Sequence, residues 1–251
     1  MKNDGDVAAG SRMQRDTKIF RHAVVKNISR PDPDIVHSLG EAGVATVHGA
    51  QGRIGLLRPY MRPIHPTAKI AGPAVTVLSR PGDNLMINAA IEVCKRGDVL
   101  VVAITSESTD GMFGDMLGTL CVTLGIAGLI IDAGVRDVVG LYEMNFPVWA
   151  KAVSAQGCSK VLAGSVNIPV VCAGELVRPG DVIVADPDGV CVVRKEKARE
   201  VNEVAQEKLK EEAHDRALYE SGTLSIDLGG KREKLAELGV EYIEEEQEYF
   251  G

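Results

Sequence analysis

The stretch from Asp110 to Asp137 constrains the fold of this chain more than any other. At its centre is an apolar run, Ala127-Gly-Leu-Ile-Ile131, flanked by two segments with apolar residues at helical spacing, Met116 to Leu124 and Val138 to Met144. A short apolar run next to glycine reads as a buried strand, and the flanking segments read as helices. Each helix follows a polar, glycine-bearing loop: Asp110-Gly-Met-Phe-Gly-Asp115 before the first, Asp132-Ala-Gly-Val-Arg-Asp137 before the second. A β-α-β-α succession of this kind sets two helix starts side by side at the carboxyl ends of neighbouring strands, where open α/β sheets bind ligands.

Both starts carry polar residues that a plain turn does not require: Asp115 in the first, Arg136 and Asp137 in the second. Backbone N–H groups at a helix start favour an anion. The planar fork of Arg136 matches a carboxylate two-pronged. Two aspartates brought together repel unless a proton or cation sits between them, and oxygen-only ligands suit Mg²⁺ or Mn²⁺. Together these describe a metal-assisted site for a small oxo-acid. A plainer reading stands beside it, in which Asp115 and Asp137 cap their helices and Arg136 pairs with one of them.

Composition bounds the alternatives. The 251 residues suit one large α/β domain or two small ones, and a net charge of −7 argues against a nucleic-acid-binding surface. The longest apolar runs, such as Val99 to Ile104, are strand-length and far short of the roughly 20 residues of a membrane span. Met1 to Arg21 is polar and lacks the apolar stretch of a secretory signal. It reads as a disordered tail before a single domain covering 22–251. The five cysteines are scattered with no Cys-x-x-Cys, as expected for reduced, packed thiols in the cytoplasm.

Along the chain, Ala23 to Ile28 reads as a short strand and Pro31 to Glu41 as a helix with Ile35, Leu39 and Ala42 on one face. Thr46-Val-His-Gly-Ala-Gln51 reads as a helix start, with His48 either a ligand or hydrogen-bonded packing. Lys69 to Leu78 is a strand in which Pro73 implies an edge or a bulge. Pro81-Gly-Asp-Asn84 is a third polar strand-to-helix turn, opening a helix from Leu85 to Lys95. Asp83 or Asn84 either lines the same pocket or caps that helix. Thr105 to Phe113 is long for such a connection and serves as a lid or pocket wall.

The second half is strand-rich: Pro147 to Val153, Ile168 to Cys172, and a hairpin of Val182 to Ala185 with Val190 to Val193 over Asp186-Pro-Asp-Gly189. The loop from Gln156 to Ser165 holds Lys160, either a second cation for a polycarboxylate or a solvated lysine. Lys195 to Tyr219 is a long charged helix whose stripe runs Ala198, Val201, Ala205, Leu209, Ala213, Ala217. Glu212 and Arg216 fall inside it, as an i,i+4 pair or as a face turned to another subunit. Lys231 to Leu238 is a short helix, and Glu244 to Glu248 a solvated acidic tail.

Gly114-Asp-Met-Leu117 followed by Asp132-Ala-Gly-Val-Arg-Asp137 resembles the signature of the class II pyruvate aldolases that cleave 4-carboxy-4-hydroxy-2-oxoadipate and 4-hydroxy-4-methyl-2-oxoglutarate, in a superfamily that also holds the regulator of ribonuclease activity A. Val44-Ala-Thr-Val-His48 with Gln51-Gly-Arg53, Tyr60-Met-Arg-Pro63, Pro81-Gly-Asp-Asn84, Phe146-Pro-Val-Trp149, Arg178-Pro-Gly-Asp181 and Asp186-Pro-Asp-Gly-Val190 extend the likeness over residues 22–240. One departure is Arg194, where many relatives have proline.

The resemblance implies a swivelling β/β/α fold, an α/β architecture with a central mixed sheet flanked by helices and a long C-terminal helix. It implies that Gly114, Asp115, Met116 and Leu117 hold the pyruvyl end of the substrate and that Arg136 contacts the same oxo-acid. Asp137 would ligate the divalent metal, Mg²⁺ or Mn²⁺, and Asp115 would touch it through water. Glu212, on the C-terminal helix of a neighbouring subunit, would complete a site shared within a homotrimer or homohexamer. The implied activity is retro-aldol cleavage releasing pyruvate, with oxaloacetate decarboxylation as a side reaction, in aromatic compound degradation. The competing expectation is a non-catalytic regulator that binds and inhibits a ribonuclease.

Overall fold

Val99-Leu-Val-Val-Ala-Ile104 is apolar on both faces, the pattern of a strand covered on both sides. In the computed structural model, which describes residues 22–250, it lies in the middle of a nine-stranded mixed sheet. The expectation for Met1 to Arg21 lies outside the described residues. In chain order the elements are α1 (Pro33–Ala50), β1 (Arg62–Pro63), β2 (Ile70–Ser79), α2 (Leu85–Val93), β3 (Val99–Ile104), β4 (Gly111–Phe113), α3 (Asp115–Leu124), β5 (Gly128–Val135) and α4 (Val138–Glu143). Then follow β6 (Val148–Val153), β7 (Ser165–Val166), β8 (Val170–Cys172), β9 (Glu175–Val177), β10 (Val182–Asp186), β11 (Gly189–Val193), α5 (Ala198–Glu220), α6 (Lys231–Glu237) and α7 (Glu246–Phe250).

The sheet order is β1-β6-β5-β3-β2-β10-β11, with β4 beside β5 and β7 beside β2. Strands β2, β3, β5 and β6 run parallel, and β10 and β11 join antiparallel. Alternation along the central strands sorts the core into two layers. Val75, Leu100, Val102, Leu129 and Ile131 pack with residues of α2, α3 and α4 on one face. Ala74, Val99, Val101, Ile130 and Trp149 pack on the other face with Leu57, Met61 and the β8–β9 hairpin. A third cluster joins α1 and the start of α5 to β10 and β11. The mixed sheet, flanking helices and long C-terminal helix match the expected architecture.

Several local expectations are corrected. Ala23 to Ile28 is no strand; it contributes one bridge, Val24 to Val166. Thr46 starts no helix: α1 runs through to Ala50, broken at Gly43 (φ 79°) and restarted at Val44, whose N–H donates to Asp186 Oδ2 at 2.8 Å. Pro73 lies on an interior strand. Ala74 sends its N–H to Asp181 O, so position 73 faces the other flank, where pairing with β3 begins only at Ala74. No ladder donor is therefore lost to the proline. The segment Asp132–Val135, read as a loop, continues β5, and Gly111–Phe113, read as the end of a loop, pairs with it as β4. In α5 the stripe packs only as far as Leu209; Ala213, Ala217, Glu212 and Arg216 are exposed. The departure at Arg194 has a local role, since its guanidinium pairs at 2.5 Å with the fully buried Asp181.

Candidate active site

Strands β4 and β5 lie parallel and adjacent, and each feeds directly into a helix. The two helix starts therefore stand together, as the β-α-β-α pattern predicts. The Arg136 N–H donates to Phe113 O at 2.9 Å and ties one turn to the other. Gly118 makes the first helical bond of α3, back to Gly114 O. The N–H groups of Asp115, Met116 and Leu117 thus precede the helical ladder and face the turn.

The two starts interlock through a pair of glycines. A Cβ on Gly114 would lie 2.3 Å from Asp137 Oδ2, and a Cβ on Gly140 would lie 3.1 Å from the Cβ of Asp115. Each aspartate therefore rests over the bare backbone of the other helix's first turn, and both carboxylates reach one mouth. Neither does the capping that the plainer reading assigns: α3 and α4 have no side-chain capping bond at Gly114 or Asp137. Asp137 also sits in the left-handed region (φ 53°, ψ 38°), which costs a non-glycine residue backbone energy. The pairing half of that reading holds, with Arg136 Nε 3.4 Å from Asp137 Oδ2 and both side chains half exposed.

A cleft of about 220 Å³ opens here, lined by Gly114, Asp115, Met116, Leu117, Arg136 and Asp137. Six of the seven residues marked in the sequence are thus brought together. Glu212 is not: it lies on the exposed outer half of α5 beside Asp215, Arg216 and Tyr219. Asn84, Asn88, Cys158 and Lys160 also line the cleft. Asn88 was not singled out in the sequence; the signal was a second asparagine one turn after Asn84, in the apolar first half of α2. Asn84 is 6% exposed and donates to Met112 O at 3.0 Å, while its Oδ1 is buried without a partner. Cys158 has its thiol pushed up by burial, against the pull of nearby Arg136 and Lys160. Asp132 of the signature faces elsewhere, accepting from the Tyr60 hydroxyl at 2.9 Å and the Ala173 N–H at 3.0 Å. His48 lies in the last turn of α1 and does not line the cleft.

Among the described residues no group of three or more His, Cys, Asp or Glu side chains could hold a metal. What the cleft offers is two carboxylates at one mouth, uncommitted to capping. That donor set fits a hard cation such as Mg²⁺ or Mn²⁺, which keeps several waters and takes one or two carboxylates.

Comparison with known proteins gives the family. The sequence model of the RraA-like family, described as Aldolase/RraA, matches residues 36–192. The chain belongs to the RraA-like family. A relative from Halalkalibacterium halodurans, provisionally named 4-hydroxy-4-methyl-2-oxoglutarate aldolase, is 30% identical over 195 residues, covering 77% of this chain and 93% of the relative. One of the same name from Burkholderia multivorans is 37% identical over 143 residues, 57% of this chain and 87% of its own. Among solved structures, Streptomyces coelicolor RraAS2, described as an unusual member of the RNase ES inhibitor RraA protein family, is 30% identical with a TM-score of 0.66, covering 76% of this chain and 99% of that one. The RraA-like family thus includes proteins named as aldolases and proteins named as ribonuclease inhibitors, and the matched span contains the whole cleft. No helix among the described residues is long and apolar enough to cross a membrane.

Proposed function

We propose that this protein is a metal-dependent pyruvate aldolase, cleaving 4-carboxy-4-hydroxy-2-oxoadipate and 4-hydroxy-4-methyl-2-oxoglutarate to pyruvate and a second oxo-acid. The observation that carries the reading is the reciprocal seating of Asp115 and Asp137 over Gly140 and Gly114, with Arg136 at the same mouth. A structural role asks neither for that convergence nor for the strained backbone of Asp137.

The first-turn N–H groups of α3 and the Arg136 guanidinium bind the carboxylate and 2-oxo group of the pyruvyl end. Asp137, with Asp115 through water, would hold Mg²⁺ or Mn²⁺, which when bound supplies positive charge where the enolate oxygen develops. Asp115 faces the cleft and takes the proton of the C4 hydroxyl through a water. As the C3–C4 bond breaks, its electron pair passes into the pyruvyl carbonyl, and C4 becomes the carbonyl carbon of the leaving oxo-acid. The enolate then takes a proton at C3 to give pyruvate. Arg136 stabilises the developing negative charge, an effect largest for a donor already in place. Oxaloacetate passes through the same enolate and is decarboxylated. Lys160, which also lines the cleft, supplies the cation for the additional carboxylate of the longer substrates. No Schiff-base lysine is needed.

Glu212 is exposed and does not line its own cleft, and Met116 beside the cleft is 80% exposed; we read these as the surfaces that a second copy of the chain would cover, completing the site in a trimer or hexamer. The test is pyruvate release from oxaloacetate, coupled to lactate dehydrogenase, for the parent chain and Arg136→Ala. The parent turns over, and the variant loses orders of magnitude in kcat/KM; equal rates would refute the assignment. The likeness to RraAS2 favours one second reading, a ribonuclease inhibitor. Loss of ribonuclease activity on adding this protein, with no pyruvate released in the coupled assay, would decide for it.

A further inference from the structure

Residues 154–164 join β6 to β7 with no regular structure beyond a bridge at Ser159, yet this segment supplies Cys158 and Lys160 to the cleft. What fixes it is Asp83, which is fully buried. Asp83 Oδ1 accepts from the Leu85 N–H at 2.9 Å and so serves the start of α2. Its Oδ2 accepts from Ser159 Oγ at 2.6 Å, the Val161 N–H at 2.7 Å and the Leu162 N–H at 3.1 Å. The main chains also bridge, Asn84 N–H to Ser159 O at 3.0 Å and Ser159 N–H to Gly82 O at 2.8 Å. Capping α2 needs only the Leu85 bond. The other oxygen is spent entirely on the loop, and its donors flank one residue on both sides: Lys160.

Burial opposes the charged form of Asp83, and the Ser159, Val161, Leu85 and Leu162 donors outweigh it, holding the carboxyl below its usual range. The charge is thus balanced by fixed O–H and N–H dipoles, whose directions hold the loop in one place. Asn84, the next residue, points the other way, to Met112 O and the cleft wall. One turn therefore contributes to the cleft lining twice, directly through Asn84 and at one remove through the loop.

We infer that Asp83 is a positioning residue: its buried carboxylate clamps the residues on both sides of Lys160 and so sets that ammonium in the wall of the cleft, where it selects substrates with an additional carboxylate. This rests on the aldolase reading, and the experiment separates the two. In Asp83→Asn the KM for 4-carboxy-4-hydroxy-2-oxoadipate rises at least about tenfold, as for loss of a charge-assisted contact. Its kcat stays within about threefold, and the Ki of oxalate, which mimics the pyruvate enolate at the Arg136 end, stays within about twofold. Lys160→Met gives the same split, and adding Asp83→Asn to it changes KM no further, because both act through one ammonium.

An unchanged KM in Asp83→Asn, additive losses in the double variant, or kcat and oxalate binding falling together would overturn the inference. If Asp83→Asn does not fold, Ser159→Ala removes a single arm of the clamp. It should raise KM about threefold with oxalate binding intact, and an unchanged KM there is equally fatal. No pyruvate release from the parent refutes the aldolase reading alone. The clamp is then read by hydrogen exchange: the Val161 and Leu162 amides exchange at least about tenfold faster in Asp83→Asn while those of α3 do not change, and equal exchange overturns it.

Discussion

Gly114→Ala separates the proposed chemistry from the fold more cleanly than removal of a charged group. Gly114 is extended (φ −153°, ψ −168°), so alanine meets no backbone penalty. The new methyl would lie 2.3 Å from Asp137 Oδ2 and 3.2 Å from Arg136 Cγ. Ordinary contact begins at 3.4 Å, so the Asp137 carboxylate must retreat by about 1.1 Å, the difference between 3.4 Å and 2.3 Å. A misplacement of about 1 Å at a reacting centre costs on the order of a hundredfold in rate. The fold loses little, because Asp137 and Arg136 are 41% and 47% exposed and give way into solvent. Alanine is a poorer helix cap than glycine by up to about 1 kcal/mol, roughly 2–4 °C in Tm for a chain of this size. The assay is pyruvate release beside a thermal melt. Activity within about threefold of the parent would show that the placement of Asp137 is unused; a fall in Tm beyond about 8 °C would make the turn a structural element.

Three further outcomes follow from the same geometry. Asp98 is 1% exposed and takes the Arg30 fork through two 2.7 Å bonds, so Asp98→Ala strands a mostly buried guanidinium; urea unfolding should show a loss of about 3–5 kcal/mol, and a loss under 1 would refute the assignment. Asp83 is held below the usual carboxylate range, so its contribution to stability is complete above the unfolded value of about 3.9 and is lost as pH falls through the folded value. The parent should therefore lose stability below about pH 4 more steeply than Asp83→Asn, and parallel acid limbs would contradict this. Ending the chain after Leu209 removes Glu212 but no buried residue of α5, so the melt should move by a few degrees at most while pyruvate release is lost; full activity would remove Glu212 from the site.

What could be read from the sequence depended on whether a signal was local. The continuous apolar runs of β3 and β5, the helical spacing in α2 and α3 and the Asp-Pro-Asp-Gly hairpin are contained within a few residues, and all were legible. So were the residue types of the site, because Asp115, Arg136 and Asp137 exceed what two turns need. Their mutual seating was not legible, since it depends on glycines 26 residues apart in the chain meeting the other helix's carboxylate.

The Asp132–Val135 segment looked like a loop because aspartate and glycine usually mark turns. Gly134 is there for another reason: a Cβ would lie 2.0 Å from Thr109 O, so the strand tolerates only glycine where the segment leading into β4 passes close. The restart of α1 at Val44 is capped by Asp186, 142 residues away, and nothing near Gly43 shows it. At Asp83 the sequence offered a cap or a pocket residue. The structure gives the cap to Asp83, the pocket to its neighbour Asn84, and Asp83 a hold on the loop that neither alternative foresaw.

The most direct test of the central claim is the rate of pyruvate release from 4-hydroxy-4-methyl-2-oxoglutarate before chelation, after EDTA, and after adding back Mg²⁺ or Mn²⁺. A metal held by Asp137 gives turnover that EDTA abolishes and the metal restores in the parent, with no restoration in Asp137→Ala. Turnover untouched by the chelator, or restored equally in Asp137→Ala, would contradict that claim.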